Sequence, residues 1–468
     1  MHADYEHLSP REQGFLNLDR PDSPLHVMRV QLFPAAGLSD DSGGTAVDRI
    51  RERVAARIGD LHRYRRVLAE LPLESRAIWV DAEDIDLDFH VRLVRLPRPG
   101  DGRQLKRLIG RIAATPLDPA RPLWELWVIE GLENARVALV TKVHACLDEP
   151  EHYRGLPHAL LTDEPSDKVG PPAHWRPHPP PSRIELAVDE LQELAQLPAD
   201  WWTRLRQWVA PEEGALGLSE RVRAVGQAVA SGLQIGSESP FDGEVGSLRR
   251  TDWTRMDAEA VDVVARRFGA TVEEIALTVS TGALARFLEG TRGISLGGLD
   301  LRALVPLDPS ADAARQGELA WILELPLAEA DPARRLEEIR LRSRSEKAHE
   351  QARGAGLLAE FGAQVPGAIF SLATRVLRRR HPFSLVIATE HATSEPRYLL
   401  DALLEQTIPV EPVTHGLALS IALVYGPHGL SWGFNADWEA FPDLHDLVLA
   451  TEQACAELVL AAGGGHSK

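Results

Sequence analysis

Apolar positions along the chain alternate between two periods. Val47, Ile50, Val54 and Ile58 recur at helical spacing, whereas Leu123 to Leu132 and Val137 to Val143 read as extended segments. The polar turn Glu133-Asn134-Ala135-Arg136 separates those two segments. In the second, Val137, Leu139, Thr141 and Val143 fall on one face, and Ala138, Val140, Lys142 and His144 on the other. His144 therefore stands at a strand end, where side chains project toward a cleft.

After about residue 165 the pattern breaks. Pro171-Pro172-Ala173-His174-Trp175-Arg176-Pro177-His178-Pro179-Pro180-Pro181 can continue neither a helix nor an inner strand, and reads as a stiff linker with solvated histidines rather than a metal site. Ile184, Val188, Leu191 and Ala195 then repeat at one-face spacing, as do Trp201, Leu205, Trp208 and Val209. These tryptophans read as anchors on the main body, with lipid or acyl contact as the alternative.

Further on, Thr271 is placed to cap a helix through Ile275, Val279 and Leu284, with Glu274 at the capping-box position. Leu301 to Pro306 reads as a buried strand end. Helices are expected around Arg334 to Gln351 and Ala363 to Arg380. Strands are expected at Ser384 to Ala388, Leu417 to Tyr425 and Gly429 to Asn435, before a closing helix from Leu444 to Leu460. Helix and strand mix in both halves. The division expected is 1–170, a linker with connecting helices over 171–240, and 241–468.

Composition narrows the function classes. A chain of 468 residues exceeds one ordinary core, and 44% hydrophobic with 26% charged residues is globular composition. A net charge of −18 argues against nucleic acid and against broad adhesion to an anionic bilayer. Cys146 and Cys455 are the only cysteines, and no zinc-ligand spacing occurs. Neither a secretory leader nor an apolar run of about 18 residues is visible, so a cytoplasmic protein is expected.

Several ordered segments carry a resemblance. Leu8-Ser9-Pro10, Gly14-Phe15-Leu16 and Pro24-Leu25-His26-Val27 are similar to the opening of the bacterial wax ester synthase/diacylglycerol acyltransferase family. Arg121-Pro122-Leu123-Trp124-Glu125 resembles its PLW segment. Ile129-Glu130-Gly131-Leu132 and Ala138 to His144 resemble the strand that leads into its HHxxxDG motif. Phe268 to Val272, Leu301 to Pro306, Gly416-Leu417 and Gly429 to Phe434 extend the likeness almost end to end.

The resemblance implies an α/β fold with mixed sheets, built as two chloramphenicol-acetyltransferase-like lobes with an interlobe tunnel. It also implies transfer of an acyl group from acyl-CoA to a hydrophobic alcohol or diacylglycerol, with acyl-CoA as co-substrate and no bound cofactor or metal. Leu123 and Trp124 of the PLW segment are then substrate-binding. Contact with a membrane or lipid-droplet surface follows from such substrates.

The family's second motif histidine is taken as the base that accepts the hydroxyl proton, a task suited to imidazole near neutral pH. This chain reads His144-Ala145-Cys146-Leu147-Asp148-Glu149-Pro150. Aligned without a gap, His144 falls on the first histidine and Ala145 on the base. With one residue deleted, His144 becomes the base, and Asp148 keeps the family's His-to-Asp spacing. A one-residue slip at a strand end reverses the face a side chain takes, so the alternatives differ in activity.

His152 reads as a surface residue, and Cys146, for which no activating base is evident, as a buried structural thiol. Other departures are Gln316-Gly317-Glu318 where a Gly-Asn element is usual, and Thr389 to Thr393 where an Asn-Val-Pro-Gly-Pro loop is usual. The run Arg375, Arg378, Arg379, Arg380 and His381 suits a helix C-terminus, with CoA phosphate or anionic lipid as the alternative partner. The expectation is an acyltransferase with His144 as base and Asp148 as its partner. A non-catalytic lipid- or partner-binding relative, or altered chemistry in a specialised pathway, are the other readings.

Overall fold

The computed structural model describes residues 5–38, 47–72, 77–147, 155–166, 170–171, 175–196, 239–241, 243–306, 320–344, 383–392 and 395–463. The chain opens with β1 (Glu6–His7), α1 (Pro10–Leu18), β2 (His26–Pro34) and α2 (Val47–Arg57). Strands β3 (Arg66–Glu70) and β4 (Ala77–Asp81) join β1 in a small sheet of order β1-β4-β3. Then come α3 (Leu87–His90), β5 (Val91–Arg95), α4 (Gly102–Ala114), β6 (Trp124–Leu132), β7 (Arg136–His144), α5 (Leu156–Ala159) and α6 (Arg183–Gln196).

The alternation read from β7 is what divides the first large sheet into two packed faces. Val137, Leu139 and Val143 pack with Val47, Ile50 and Val54 of α2. Ala138 and Val140 pack with Leu105, Ile109 and Ile112 of α4. The helix expected from Val47 thus forms and buries the predicted stripe. The turn between β6 and β7 needs left-handed backbone, supplied by Asn134 at φ 59° and Ala135 at φ 50°.

The later part supplies β8 (Arg249–Asp257), α7 (Ala258–Phe268), α8 (Val272–Arg286), β9 (Arg302–Pro306), β10 (Ala320–Glu324) and a helix over 332–344, α9. It continues with β11 (Leu385–His391), the hairpin β12 (Tyr398–Leu399) and β13 (Ala402–Leu403), β14 (Gln406–Val410), β15 (Leu419–Gly426), β16 (Gly429–Asp437) and α10 (Leu444–Gly463). The second large sheet has the order β10-β9-β11-β15-β16-β8. Thr271 caps α8 as expected: the Glu274 N–H donates to Thr271 Oγ1 at 3.1 Å, and the Thr271 N–H donates back to Glu274 Oε2 at 3.0 Å. Every residue of α8 from Ile275 to Ala285 is buried, so this helix forms the centre of the second core.

One strand crosses between the halves. β14 lies late in the chain, yet it pairs antiparallel with β2, Ile408 opposite Val30, and makes the first large sheet β14-β2-β7-β6-β5. It packs there against β16 of the second sheet, where a Cβ on Gly433 would stand 1.7 Å from Pro409 O. α4 meets β8 in a similar way: a Cβ on Gly110 would stand 2.6 Å from Arg249 O, and Thr251 Oγ1 donates to Lys106 O at 2.9 Å. At Gly433 and Gly110 the two halves therefore approach backbone to backbone.

α6 forms, but its docking face differs from the one the spacing suggested. Ile184, Val188 and Leu191 are exposed, at 77%, 45% and 57%. Leu186 instead enters a cluster with Leu71, Ile78 and Val80 on the small sheet, and the Tyr5 hydroxyl donates to Asp189. In the linker, His178 is exposed and paired through Nδ1 with Asp81 at 2.9 Å. The helices expected near Trp201 and over 363–380, the second half of that expected to Gln351, the Arg375 to His381 run, Gln316 to Glu318, Asp148 and His152 lie outside the described residues.

Candidate active site around His144

The candidate site forms where α1, β2 and β7 converge. In α1 the Leu8-Ser9-Pro10 segment acts as a helix start: the Glu12 N–H donates to Ser9 Oγ at 3.2 Å and the Ser9 N–H donates to Glu12 Oε2 at 2.6 Å. The buried Glu12 also accepts from Trp79 Nε1 at 2.9 Å, which pins the helix to the small sheet. α1 ends at Asp19, whose Oδ1 accepts the Leu25 N–H at 2.7 Å. That bond places the start of β2 beside β7.

The β2–β7 ladder runs without a shift from Pro34 opposite Arg136 to His26 opposite His144. Paired residues share a face, so His26 and His144 lie together on the α4 side of the sheet. Their ring centroids are 6.1 Å apart and nearly perpendicular. His144 is the last residue of β7, and its N–H donates to Leu123 O at 3.0 Å.

The imidazole of His144 is 3% exposed and oriented at both nitrogens. The Cys146 N–H donates to Nδ1 at 3.1 Å, and Cys146 Sγ lies 2.9 Å from the same atom. A backbone N–H can only donate, so Nδ1 carries the lone pair and Nε2 the hydrogen. Nε2 points toward Asp19 Oδ1 at 3.5 Å, a separation that a hydrogen bond would close if the ring became charged.

Neighbouring groups are held in defined charge states. Burial, with Lys142 and His144 alongside, pulls the pKa of His26 well below its ordinary value, so that ring is neutral at physiological pH. Burial, with Glu12 and Asp19 nearby, pushes the Cys146 thiol well above its ordinary value, and the sulfur stays S–H.

Lys142, on the same face, has no exposed side-chain surface and donates to Thr115 O. Its Nζ sits 3.5 Å from Glu125, which also pairs with Arg92 at 2.9 Å and accepts from Trp127 Nε1 at 3.0 Å. Burial pulls Lys142 down to about 8, with Glu125 opposing the shift. Removing the carboxylate strands a buried ammonium, so Glu125→Ala is expected to cost about 3–5 kcal/mol in denaturant unfolding. Adding Lys142→Met to that variant should recover most of the loss. A single variant as stable as wild type would refute the account.

Leu123 and Trp124 are placed close to His144, but their side chains are engaged in packing. Leu123 is buried beside Cys146 and Leu147, and only its carbonyl reaches His144. Trp124 is fully buried on the α2 face, opposite to that of His144, stacked on His90 with its indole N–H donated to Tyr64 O at 2.9 Å. Among the described residues no group of His, Cys, Asp and Glu could hold a metal ion, and no helix is long and apolar enough to cross a membrane.

Sequence reasoning missed Asp19 as the carboxylate beside His144, and missed His26 as its partner ring. Asp19 carried no local signal beyond ending a helix. His26 lay inside a quoted segment, and only long-range pairing of β2 with β7 reveals its neighbour.

Comparison with known proteins identifies the family. Residues 8–276 match the sequence model of the wax ester synthase/diacylglycerol acyltransferase catalytic domain, and residues 320–459 that of the WS/DGAT C-terminal domain. The chain belongs to this family. A Mycobacterium tuberculosis protein carrying a diacylglycerol O-acyltransferase name is 26% identical over 98% of this chain and 91% of its own length. A second from the same organism, tgs1, is 26% identical over 97% of this chain and 96% of its own length.

Among solved structures, the wax ester synthase/diacylglycerol acyltransferase of Marinobacter aquaeolei superimposes with a TM-score of 0.71 at 22% identity, covering 98% of this chain and 100% of that one. The first condensation domain of the calcium-dependent antibiotic synthetase matches at a TM-score of 0.53 and 17% identity, over 99% of this chain and 98% of that domain. The expected fold class, α/β with mixed sheets of the chloramphenicol-acetyltransferase-like kind, is therefore the one found.

Proposed function

We propose that the protein is an acyl-CoA-dependent O-acyltransferase that esterifies a hydrophobic alcohol or diacylglycerol, with His144 as general base. The family membership supplies the reaction class, and the observation that carries the assignment to this residue is the fixed ring of His144. An acceptor nitrogen faces the turn after β7, and a carboxylate stands behind the opposite nitrogen.

In the forward step His144 takes the hydroxyl proton as the alcohol oxygen attacks the thioester carbon. Collapse of the tetrahedral intermediate expels CoA sulfur, which receives that proton back from His144. Asp19 supports the transient imidazolium through Nε2–H. Asp148, which lies outside the described residues, is assigned as the structural partner of His144 on the family's motif spacing alone. Leu123 and Trp124, substrate-binding in the family's PLW segment, are assigned here a packing role beside β7 rather than direct contact with substrate. The substrates imply a cytoplasmic protein that meets a membrane or droplet surface.

Purified protein should release CoA from a long-chain acyl-CoA only when a long-chain alcohol or diacylglycerol is added, with ester recovered in equal amount. No turnover over a broad panel of donors and acceptors, with fatty acid co-purifying, would replace this reading with a lipid-binding one.

A further inference from the structure

Polar residues interrupt two apolar faces where the halves of the molecule meet. On β2 and β7, Arg29, Gln31 and Thr141 share a face with Val27, Phe33, Leu139 and Val143, which pack on α2. In the second sheet, Leu419 and Ile421 of β15 and Phe434 and Ala436 of β16 turn into the core. Ser420 and Asn435, opposite each other in that ladder, therefore turn out of it.

Arg29 joins the two sets. Its guanidinium pairs with Glu390 of β11 at 2.6 Å and with Glu411, just after β14, at 3.2 Å. The Asn435 side-chain amide donates to Glu411 O at 2.8 Å, and Thr141 faces Arg29 across the β2–β7 ladder. Gln31, Thr141, Arg29, Glu411, Asn435 and Ser420 thus follow one another along a polar surface drawn from both sheets.

Among the described residues, Gln31 Oε1, Thr141 Oγ1, Ser420 Oγ and Asn435 Oδ1 on this surface are buried without a hydrogen-bond partner. None of the four residues is more than 4% exposed. Buried polar atoms are nearly always satisfied, so a set of orphans on one surface marks where a ligand's polar atoms belong. Asn435 Oδ1 only accepts, because its amide nitrogen is the donor to Glu411. Gln31 Oε1 likewise only accepts, and the two hydroxyls can do either. Arg29, the cation among them, is engaged by two carboxylates. Such a lining takes hydroxyl groups and disfavours phosphate or carboxylate.

We propose that this surface is a subsite for a polyhydroxylated acceptor, an alcohol with a sugar-like head whose further hydroxyls bind between the two sheets. The inference rests on the acyltransferase reading and narrows its acceptor. Thr141 precedes His144 by three residues on β7 and faces the other side of the strand. One acceptor that meets both passes the strand end and carries hydroxyls remote from the one that reacts. A sugar does so; a diacylglycerol, with a single free hydroxyl, does not.

Octyl glucoside, kept below its micellar concentration, and 1-octanol share a tail and differ in these hydroxyls. With palmitoyl-CoA as donor, kcat/KM for the glucoside should exceed that for 1-octanol by at least about tenfold, the gain from about two added hydrogen bonds. Without acyl-CoA, isothermal titration should show the glucoside bound more tightly by a similar factor. In Thr141→Val combined with Ser420→Ala, both ratios should fall toward one. These changes remove hydroxyls that hold no partner among the described residues, so the thermal midpoint should not fall.

Equal binding and turnover of the two alcohols by wild type, or ratios unchanged in the double variant, would overturn the inference, while ester from 1-octanol keeps the acyltransferase reading. Tighter glucoside binding, lost in the double variant, with no ester from any acceptor would keep the subsite and sink that reading instead. Neither binding nor ester with either alcohol would refute both.

Discussion

Replacing His144 with alanine is expected to slow ester formation by about 10²–10⁴-fold, the range general-base catalysis contributes. The loss should fall on kcat rather than KM, because the ring is buried and acts on the reacting proton rather than on the bulk of either substrate. The fold should survive with a modest penalty. The Cys146 N–H loses its acceptor, and an unsatisfied buried donor costs about 1–3 kcal/mol.

Asp19→Asn gives a graded companion to that result. It keeps the shape at the end of α1 and an oxygen for the Leu25 N–H, but removes the negative charge that faces Nε2. Its rate should lie between those of wild type and His144→Ala. Steady-state kinetics on all three proteins, with thermal unfolding as the folding control, decides the matter. Full activity in His144→Ala would remove the base from this residue.

The parts of this site differ in how far the sequence reveals them. The alternation in β7 was legible because one face packs on α2 and the other on α4, so local periodicity and burial agree. The capping boxes of α1 and α8 are legible for a similar reason, since three-residue spacing fixes the bond.

α6 misled because its apolar spacing is not what docks it: Leu186 makes the contact while Ile184 stays exposed. Asp19 and His26 were illegible as neighbours of His144, since both are set by the pairing of β2 with β7 across more than a hundred residues. The orientation of the His144 ring is set locally in sequence, but it depends on a backbone N–H turning back onto the ring, which no residue-type pattern encodes.

Replacing Gly433 with valine should produce a large stability loss. A side chain at that position begins 1.7 Å from Pro409 O, well inside contact distance, and the obstacle is backbone rather than a flexible tip. Relief requires β14 to move, and β14 is hydrogen-bonded to β2, whose other edge holds β7. Overpacking alone costs about 1–3 kcal/mol, and forcing two strands apart should reach at least the upper end of that range.

The consequence reaches the reaction. β2 carries His26 and abuts β7 at His144, so a displaced β14 disturbs the pairing that sets the two rings 6.1 Å apart. Gly433→Val should therefore lower the denaturant midpoint and reduce turnover together, whereas Gly290→Ala, where an added Cβ meets nothing within 4 Å, should leave both close to wild type. If Gly433→Val matched wild type in midpoint and rate, the backbone contact between β14 and β16 could not be what holds the late strand, and the site it supports, in place.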